Sequence, residues 1–148
     1  MLRIGKLADY GLLIADCLAR EPAQLTTEAI IRETNLPEAT VRKLLRLLVD
    51  AGLVQSRRGL HGGYRLGRAP ERISVAELIA AIEGPIGLTE CTHAEDHCNL
   101  SPGCGMRSNW HVINDLINRQ LATITLADMC GDLSHHGGSR IPVLPVVG

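Results

Sequence analysis

The stretch that decides the fold is LPEATVRKLLRLLVDAGLVQSRRGLHGGYRLGR, residues 36–68. Pro37 is placed where a helix can start without losing a hydrogen bond. Apolar residues then recur at helical spacing, and this inner stripe consists of Val41, Leu44, Leu45, Leu48 and Val49. Gly52 is typical of a helix end. Residues 53–56 and 64–66 read as two short strands around a glycine-rich turn, so the stretch predicts a helix followed by a β-hairpin.

The residues before this stretch predict two further helices. Residues 7–19 have helical spacing, with Leu7, Tyr10, Ile14, Cys17 and Leu18 on one face. Thr26 or Thr27 is a suitable N-cap for a short second helix, and Glu28 would favour its first turn. A tight turn at residues 35–37 leads into the third helix, at about residues 37–50. Two helices joined by a tight turn and followed by a hairpin predict a winged helix-turn-helix. The fold class is therefore mostly α with a small β wing.

The second half of the chain is organised around a loop. Ser74 and Glu77 form a capping-box pattern that opens a helix to about Glu83. Residues 84–105 lack apolar periodicity, as functional loops often do. Helical spacing returns at 106–121, and its apolar set is Trp110, Ile113, Leu116, Ile117, Leu121 and Ile124. Such a long amphipathic helix suits a dimer interface, whereas packing on its own winged domain is the alternative; one more turn follows at 125–129.

Three regions follow from these patterns. Residues 1–73 form the winged helix-turn-helix domain, and residues 74–130 hold a helix, the cysteine loop and the dimerisation helix. Residues 131–148, rich in Gly, Pro and Val, are expected to be a disordered tail.

Composition excludes several classes of protein. The chain has 148 residues, a net charge of −1 and only 2% aromatic residues. A binder of single-stranded nucleic acid needs aromatic side chains on which bases stack. The small number of aromatic residues therefore argues against that class. No apolar run approaches the length of a membrane span, and the N-terminus does not read as a signal peptide. A cytoplasmic protein is expected, in a compartment where thiols stay reduced.

The small net charge hides an asymmetry. Residues 38–72 contain eight Lys or Arg against three acids, a net of +5. Residues 73–136 contain two Arg against eight acids, a net of −6. One half of the molecule can therefore meet a polyanion such as double-stranded DNA, and the other half would repel it.

The candidate DNA contacts lie on the third helix and on the wing. A recognition helix reads bases with residues near its N-terminus. Thr40, Arg42 and Lys43 could reach base edges there, and Arg46 is better placed for phosphate. The turn supplies Arg57, Arg58 and His61, and an Arg on a narrow hairpin suits a minor groove. Gly62 and Gly63 allow this turn to approach a backbone closely.

Cysteines suggest a second function. Cys91, Cys98 and Cys104 are spaced C-x6-C-x5-C in a polar loop, whereas structural cysteines prefer buried apolar positions. The spacing differs from a zinc ribbon, and iron–sulfur clusters accept wider spacing. A cluster, zinc and no metal all stay open on spacing alone. Cys17 is expected in the core, and Cys130 begins the tail with no evident partner.

Longer segments extend these motifs over roughly residues 1–130. They are LRIGKLADYGLLIADCLA, the stretch quoted first, ISVAELIAAIEGPIGLTEC and the three-cysteine loop. Together they resemble the IscR/NsrR-type winged-helix regulators. GPIGLTECTH, followed by NW and TLADM, most resembles the SUF-system iron–sulfur assembly regulators of proteobacteria. The resemblance implies a homodimeric transcription factor with an iron–sulfur cluster between the dimerisation helix of one subunit and the DNA-binding domain of the other.

The resemblance also implies a ligand set. Cys91, Cys98 and Cys104 match the three cysteines, although the first gap is one residue longer than in the best-known members. IscR-like proteins take a fourth ligand from a His at the position that is Arg107 here. NsrR-like proteins use an Asp of the first helix, contributed by the partner subunit, and Asp9 stands at that position. Asp9 is therefore favoured, with His93 or His97, and water or no fourth ligand, as alternatives.

The chain is expected to be a cluster-dependent repressor of SUF-type iron–sulfur assembly genes. It would sense cluster, iron or redox status and bind a palindromic operator. A [2Fe–2S] cluster is favoured over [4Fe–4S]. A winged-helix regulator that senses zinc or thiol oxidation is the alternative. A redox enzyme or cluster carrier is disfavoured, because the chain has no C-x2-C pair and no nucleophile–base set.

Overall fold

The computed structural model describes residues 4–59, 61–92, 98 and 103–131. The helices are α1 Lys6–Arg20, α2 Thr27–Thr34, α3 Glu38–Asp50, α4 Val75–Glu83, α5 Arg107–Thr123 and α6 Leu126–Cys130. The strands are β1 Val54–Arg57 and β2 Gly63–Leu66, and single 3-10 turns occur at Pro70–Arg72 and Glu90–Thr92. The mostly helical fold with a two-stranded wing is confirmed. The tail predicted from residue 131 onward lies outside the described residues except for Gly131.

Local signals place the helices of the winged domain. Thr26 caps α2, and its hydroxyl accepts the backbone N–H of Ala29 at 3.2 Å. Asn35 ends α2 in the left-handed conformation, with φ 53°. The predicted stripe of α3 is buried at Val41, Leu44, Leu45 and Leu48, while Val49 is half-buried. These side chains pack on Ile14, Leu18 and Ile30 of the two preceding helices.

The wing is tied to the segment that precedes α2. β1 and β2 pair antiparallel, with Val54 opposite Leu66 and Arg57 opposite Gly63. Leu25 forms a further bridge with Tyr64, with N···O distances of 2.9 and 2.8 Å. A Cβ on Gly63, where φ is 152°, would lie 2.6 Å from the Leu25 carbonyl oxygen. The close approach that this glycine allows is therefore to the protein's own backbone, which fixes the base of the wing.

The second half of the chain returns to the same core. Ser74 and Glu77 form the predicted capping box of α4. Thr125 and Asp128 form another at α6, which confirms the turn expected at 125–129. Leu126 is fully buried in the cluster that also holds the inner residues of α1 and α3. Backbone bonds from Val75 to Ile124 and from Leu126 to Ile73 hold this junction at 2.9 and 2.8 Å.

Helix α5 packs on α4 and on the Glu90–Thr92 turn, and its apolar contacts lie at its C-terminal end. Leu121 and Ile124 contact the small cluster of Ala8, Val75 and Ile79. From the N-cap to the middle of the helix, the apolar side chains are solvent-exposed in the single chain. They are Met106, Trp110, Val112, Ile113 and Leu116. Exposed apolar surface of this extent on one helix is typical of an interaction face. Among the described residues, no helix is long and apolar enough to cross a membrane.

Candidate DNA interface and cysteine site

The predicted DNA contacts belong to α3 and to the wing, and we call this set of residues the reading face. It comprises Thr40, Arg42, Lys43, Arg46, Arg57, Arg58 and His61. All of them are exposed except Thr40, which is half-buried. Position 40 precedes the buried Val41 and is therefore turned partly towards the core.

Two of the cations on α3 are engaged along their own helix. Glu38 accepts a hydrogen bond from Arg42 at 2.7 Å, four residues further on. This carboxylate holds the pKa of the Arg42 guanidinium above its usual range. Arg46 approaches Asp50 more loosely, at 3.9 Å. Both pairs are exposed, so each restrains its arginine only weakly.

Some of the other cations in residues 38–72 are bound to side chains of the protein, and others form no ion pair within the described residues. Arg65 on β2 donates to the Gln55 side chain on β1 at 3.0 Å, which fixes its guanidinium across the wing. Arg68 pairs with Glu77 of α4 at 2.7 Å. Within the described part of the chain, Lys43, Arg57 and Arg58 form no ion pair. Their charge is consequently available to a polyanion.

The three loop cysteines lie in different surroundings. Cys91 is buried, with 8% exposure, in the 3-10 turn, and its Sγ lies 3.2 Å from the Thr89 hydroxyl. Cys98 and Cys104 are half-buried, and Cys104 lies just before α5. Among the described residues, no three His, Cys, Asp or Glu side chains are gathered so that they could hold a metal ion. The thiols therefore have suitable chemistry for a cluster, but this single chain does not bring them together as a site.

The candidate fourth ligands are Asp9 and two histidines of the cysteine loop. Asp9 is exposed in the first turn of α1, where a second chain can reach it. His93 and His97 lie outside the described residues.

The other two cysteines are placed against α1. The prediction that Cys17 belongs to the core is wrong, since it is half-buried in a cleft of about 210 Å³ between α1 and α2. Burial, followed by the charge of Glu33, raises the pKa of its thiol. Cys130 ends α6 instead of starting a tail. Burial and a hydrogen bond with Asp16 raise the pKa of its thiol to about 12.

Two polar arrangements could not be found from sequence patterns. Glu83, at the end of α4, accepts the backbone N–H groups of Gly5 and Ala8, each at 3.3 Å. Asn114, buried on α5 with 8% exposure, accepts the backbone N–H of Leu88 at 3.0 Å. The partners are 75 or more residues apart in the first case and 26 in the second, so no local pattern predicts them.

Comparison with known proteins gives consistent matches. Residues 4–132 match the family model described as Rrf2, iron-dependent transcriptional regulator. The HTH-type transcriptional regulator NsrR of Bacillus licheniformis is 31% identical over 140 residues, covering 90% of this chain and 96% of that protein. Two solved structures are similar over most of their length. CymR, the global cysteine regulator of B. subtilis, has a TM-score of 0.67 at 32% identity, covering 88% of this chain and 97% of that one. The IscR of T. potens has a TM-score of 0.66 at 28% identity, covering 94% and 93%.

Proposed function

Because the chain belongs to the Rrf2 family of iron-dependent transcriptional regulators, we propose that it is a homodimeric repressor of SUF-type iron–sulfur assembly genes. The single observation that carries DNA binding is the reading face, with exposed Lys43, Arg57 and Arg58 beside the recognition helix α3. A two-fold dimer places two such faces on the half-sites of a palindromic operator, about one DNA turn (~34 Å) apart. The relatives are named transcriptional regulators, in line with the expectation that the chain is not an enzyme.

The division of labour on the reading face follows from the contacts. Arg42 must exchange its bond with Glu38 for a base edge or a phosphate, which makes its contribution the difference between two partners. Lys43, Arg57 and Arg58 have no intramolecular ion partner to give up within the described residues. They supply the phosphate and minor-groove contacts that bring most of the affinity.

The dimer is proposed to use the exposed apolar face of α5. Trp110, Ile113 and Leu116 are 40%, 41% and 53% exposed in the single chain. Burying such side chains against a second copy removes apolar surface from water at roughly 25 cal/mol per Å². The resemblance to NsrR-type regulators implies that such a dimer brings α1 of one subunit, with Asp9, near the cysteines of the other.

We propose that Cys91, Cys98 and Cys104, with Asp9 of the partner subunit, hold an iron–sulfur cluster, [2Fe–2S] in preference to [4Fe–4S]. Three thiols form a donor set typical of such clusters. A bound cluster would supply redox-sensitive iron, held by these thiolates and by the carboxylate. Because the single chain gathers no such set among its described residues, the site depends on a second subunit and on rearrangement of the cysteine segment. The resulting change in DNA affinity comes from contacts that differ between the two states.

Anaerobic purification tests the cluster. We expect visible absorption, with iron and acid-labile sulfide in the wild-type protein. Cys91→Ala and Asp9→Ala are expected to lose them in whole or in part, whereas Cys17→Ser, which alters a cysteine outside the set, is expected to keep them. A wild-type protein without iron or colour after anaerobic reconstitution would contradict the proposal.

Arg58→Ala tests the reading face. Removing one phosphate contact should weaken operator binding and reduce the slope of log K against log salt by about 1. Arg119→Ala, which removes an exposed arginine from α5, is the matched control and should leave the slope unchanged. Equal binding by wild type and Arg58→Ala at moderate salt would remove the wing from the interface.

Thiol or zinc sensing is the second candidate, and it is favoured by the similarity to a global cysteine regulator. Metal analysis of protein purified without oxygen separates the candidates. Iron with sulfide supports the cluster, zinc without sulfide supports a zinc site, and a metal-free protein whose DNA binding responds to thiol oxidation supports thiol sensing.

A further inference from the structure

The segment from α4 to the buried cysteine, residues 84–92, is held by α5. Asn114 Oδ1 accepts the Leu88 N–H at 3.0 Å, and Asn118 Nδ2 donates to the Ile86 carbonyl at 3.3 Å. The two asparagines are one helical turn apart, and Asn118 also donates to the Asn114 carbonyl at 3.0 Å. A buried carboxamide that bonds the backbone of a loop favours the loop conformation that keeps this bond, because other conformations leave a buried polar group without a partner. We call residues 84–92 the tethered arm.

The residue that directly precedes this arm, Glu83, is bonded to α1. Gly5 is the N-cap of α1 and has no side chain to cap the helix. Glu83, the last residue of α4, supplies both of its carboxylate oxygens to the N–H groups of Gly5 and Ala8. An acid at the C-terminus of its own helix is unfavourable for the helix dipole, whereas the same charge at the N-terminus of α1 is favourable. The position of Glu83 is therefore explained by α1 and not by α4.

The other end of the arm sets the surroundings of Cys91. Thr89 and Thr92 close the 3-10 turn around it, with the Thr89 N–H donating to the Thr92 hydroxyl at 3.0 Å. The Thr92 hydroxyl donates to the Thr89 carbonyl at 2.8 Å. Leu88, the residue held by Asn114, directly precedes this turn. A shift at Asn114 is thus transmitted to the Cys91 thiol within three residues.

We propose that Asn114 is a positioning residue for Cys91, and that the tethered arm passes changes at the cysteine segment to α1 through Glu83. The functional part of this inference rests on the proposed function, since α1 belongs to the DNA-binding domain and carries Asp9. The physical route from sensor to DNA is then the hydrogen-bonded arm, which is held by α5 and is joined to α1 through Glu83. Neither Asn114 nor Glu83 is placed in contact with the DNA.

Thiol reactivity and amide exchange test the positioning role in the full chain after removal of any metal. Asn114→Ala is expected to speed exchange of the Leu88 amide on the order of tenfold, because its acceptor is lost. Alkylation of Cys91 should rise severalfold in the same variant. Gln120→Ala, which removes an exposed amide from the same helix, is the matched control and should change neither rate. Unchanged alkylation of Cys91 in a folded Asn114→Ala protein overturns the positioning role.

A second pair of variants covers the case in which Asn114→Ala fails to fold. Asn114→Asp keeps an oxygen acceptor for Leu88 and should retain slow alkylation of Cys91. Asn118→Ala removes only the bond to Ile86 and should give a smaller increase. The reverse order, with Asn114→Asp faster than Asn118→Ala, overturns the assignment of Asn114 as the main tether.

A double-mutant cycle tests transmission to α1. Glu83→Ala should speed exchange of the Ala8 amide severalfold, since its acceptor is removed. Asn114→Ala alone should speed exchange at Ala8 about twofold, and should add nothing in the Glu83→Ala background. Strict additivity of the two substitutions, or no response of Ala8 to Asn114→Ala, overturns the coupling.

The outcome is separable from that of the proposed function. Exchange and alkylation in metal-free protein report on the arm whether or not a cluster binds. If the wild-type protein holds no iron but the cycle shows coupling, the arm stands and the cluster proposal fails. If iron binds normally and the cycle is additive, the cluster proposal stands and the arm fails.

Discussion

The winged domain and the cysteine-bearing half of the chain are built by different means. In the winged domain, fully buried aliphatic side chains such as Leu44, Leu48 and Ile30 determine the arrangement of the helices. In the other half, the tethered arm is held by single hydrogen bonds from Asn114 and Asn118, and much of α5 is exposed. Burial of apolar area is cooperative and hard to reverse, whereas a few hydrogen bonds of about 1 kcal/mol each are easily exchanged. The difference assigns rigidity to the part proposed to contact DNA and adjustability to the part proposed to sense.

Truncation of a core residue should give the largest effect. Leu126 is fully buried although it lies on α6, far along the chain from the winged domain. Leu126→Ala is expected to lower the free energy of unfolding by roughly 2–5 kcal/mol. Leu116→Ala, at a 53% exposed position of α5, should instead weaken self-association. Chemical denaturation and analytical ultracentrifugation measure the two effects. Equal loss of folding stability in both variants would remove the contrast between the aliphatic core, to which Leu126 belongs, and the exposed face of α5.

Thiol reactivity should separate the cysteines next. With a pKa raised to about 12 by burial and Asp16, Cys130 has a thiolate fraction of only about 10⁻⁴ at pH 8. In metal-free protein, Cys130 is therefore expected to be alkylated far more slowly than Cys104. Asp16→Asn removes the charge that favours the neutral thiol and should speed modification of Cys130. Peptide mass mapping over time measures both rates, and fast modification of Cys130 in the wild type would show that it is not held in this way.

The junction between the two regions should show the smallest effect. Hydrogen bonds from Ser74 and the ion pair with Arg68 lower the pKa of Glu77. Since the folded-state pKa is depressed, the stabilisation is present above the unfolded value of 4.5 and is lost as pH falls through the folded one. Glu77→Gln keeps an acceptor for the capping box but loses the exposed ion pair with Arg68, so it should cost no more than about 0.5 kcal/mol at neutral pH, and less in acid. Thermal unfolding from pH 7 to pH 3 checks this; Glu71→Gln, at an exposed acid in the nearby 3-10 turn, is the control that should show no such trend.

Much of the winged domain was predictable because its signals are local. The stripe on α3, the cap at Thr26 and the capping box at Ser74 each act within one or two turns of the chain. The apolar positions predicted for α5 divide into two groups. Trp110, Ile113 and Leu116 are exposed in the single chain, as a dimer interface would require. Leu121 and Ile124 pack on the chain's own core. The half-buried state of Thr40 was missed because helical spacing alone does not define the edge of a buried stripe.

Local sequence signals specify the helices and the wing, and the separation of charge and the spacing of the three cysteines are read directly from the sequence. These properties depend on neighbouring residues, so periodicity and capping chemistry are enough to read them. Three contacts arise only from the tertiary structure. Glu83 caps α1, Asn114 holds the tethered arm, and Cys130 is hydrogen-bonded to Asp16. Each of these contacts joins residues far apart in the chain. Only the packing of aliphatic side chains, which fixes where the helices cross, brings such polar groups within hydrogen-bonding distance.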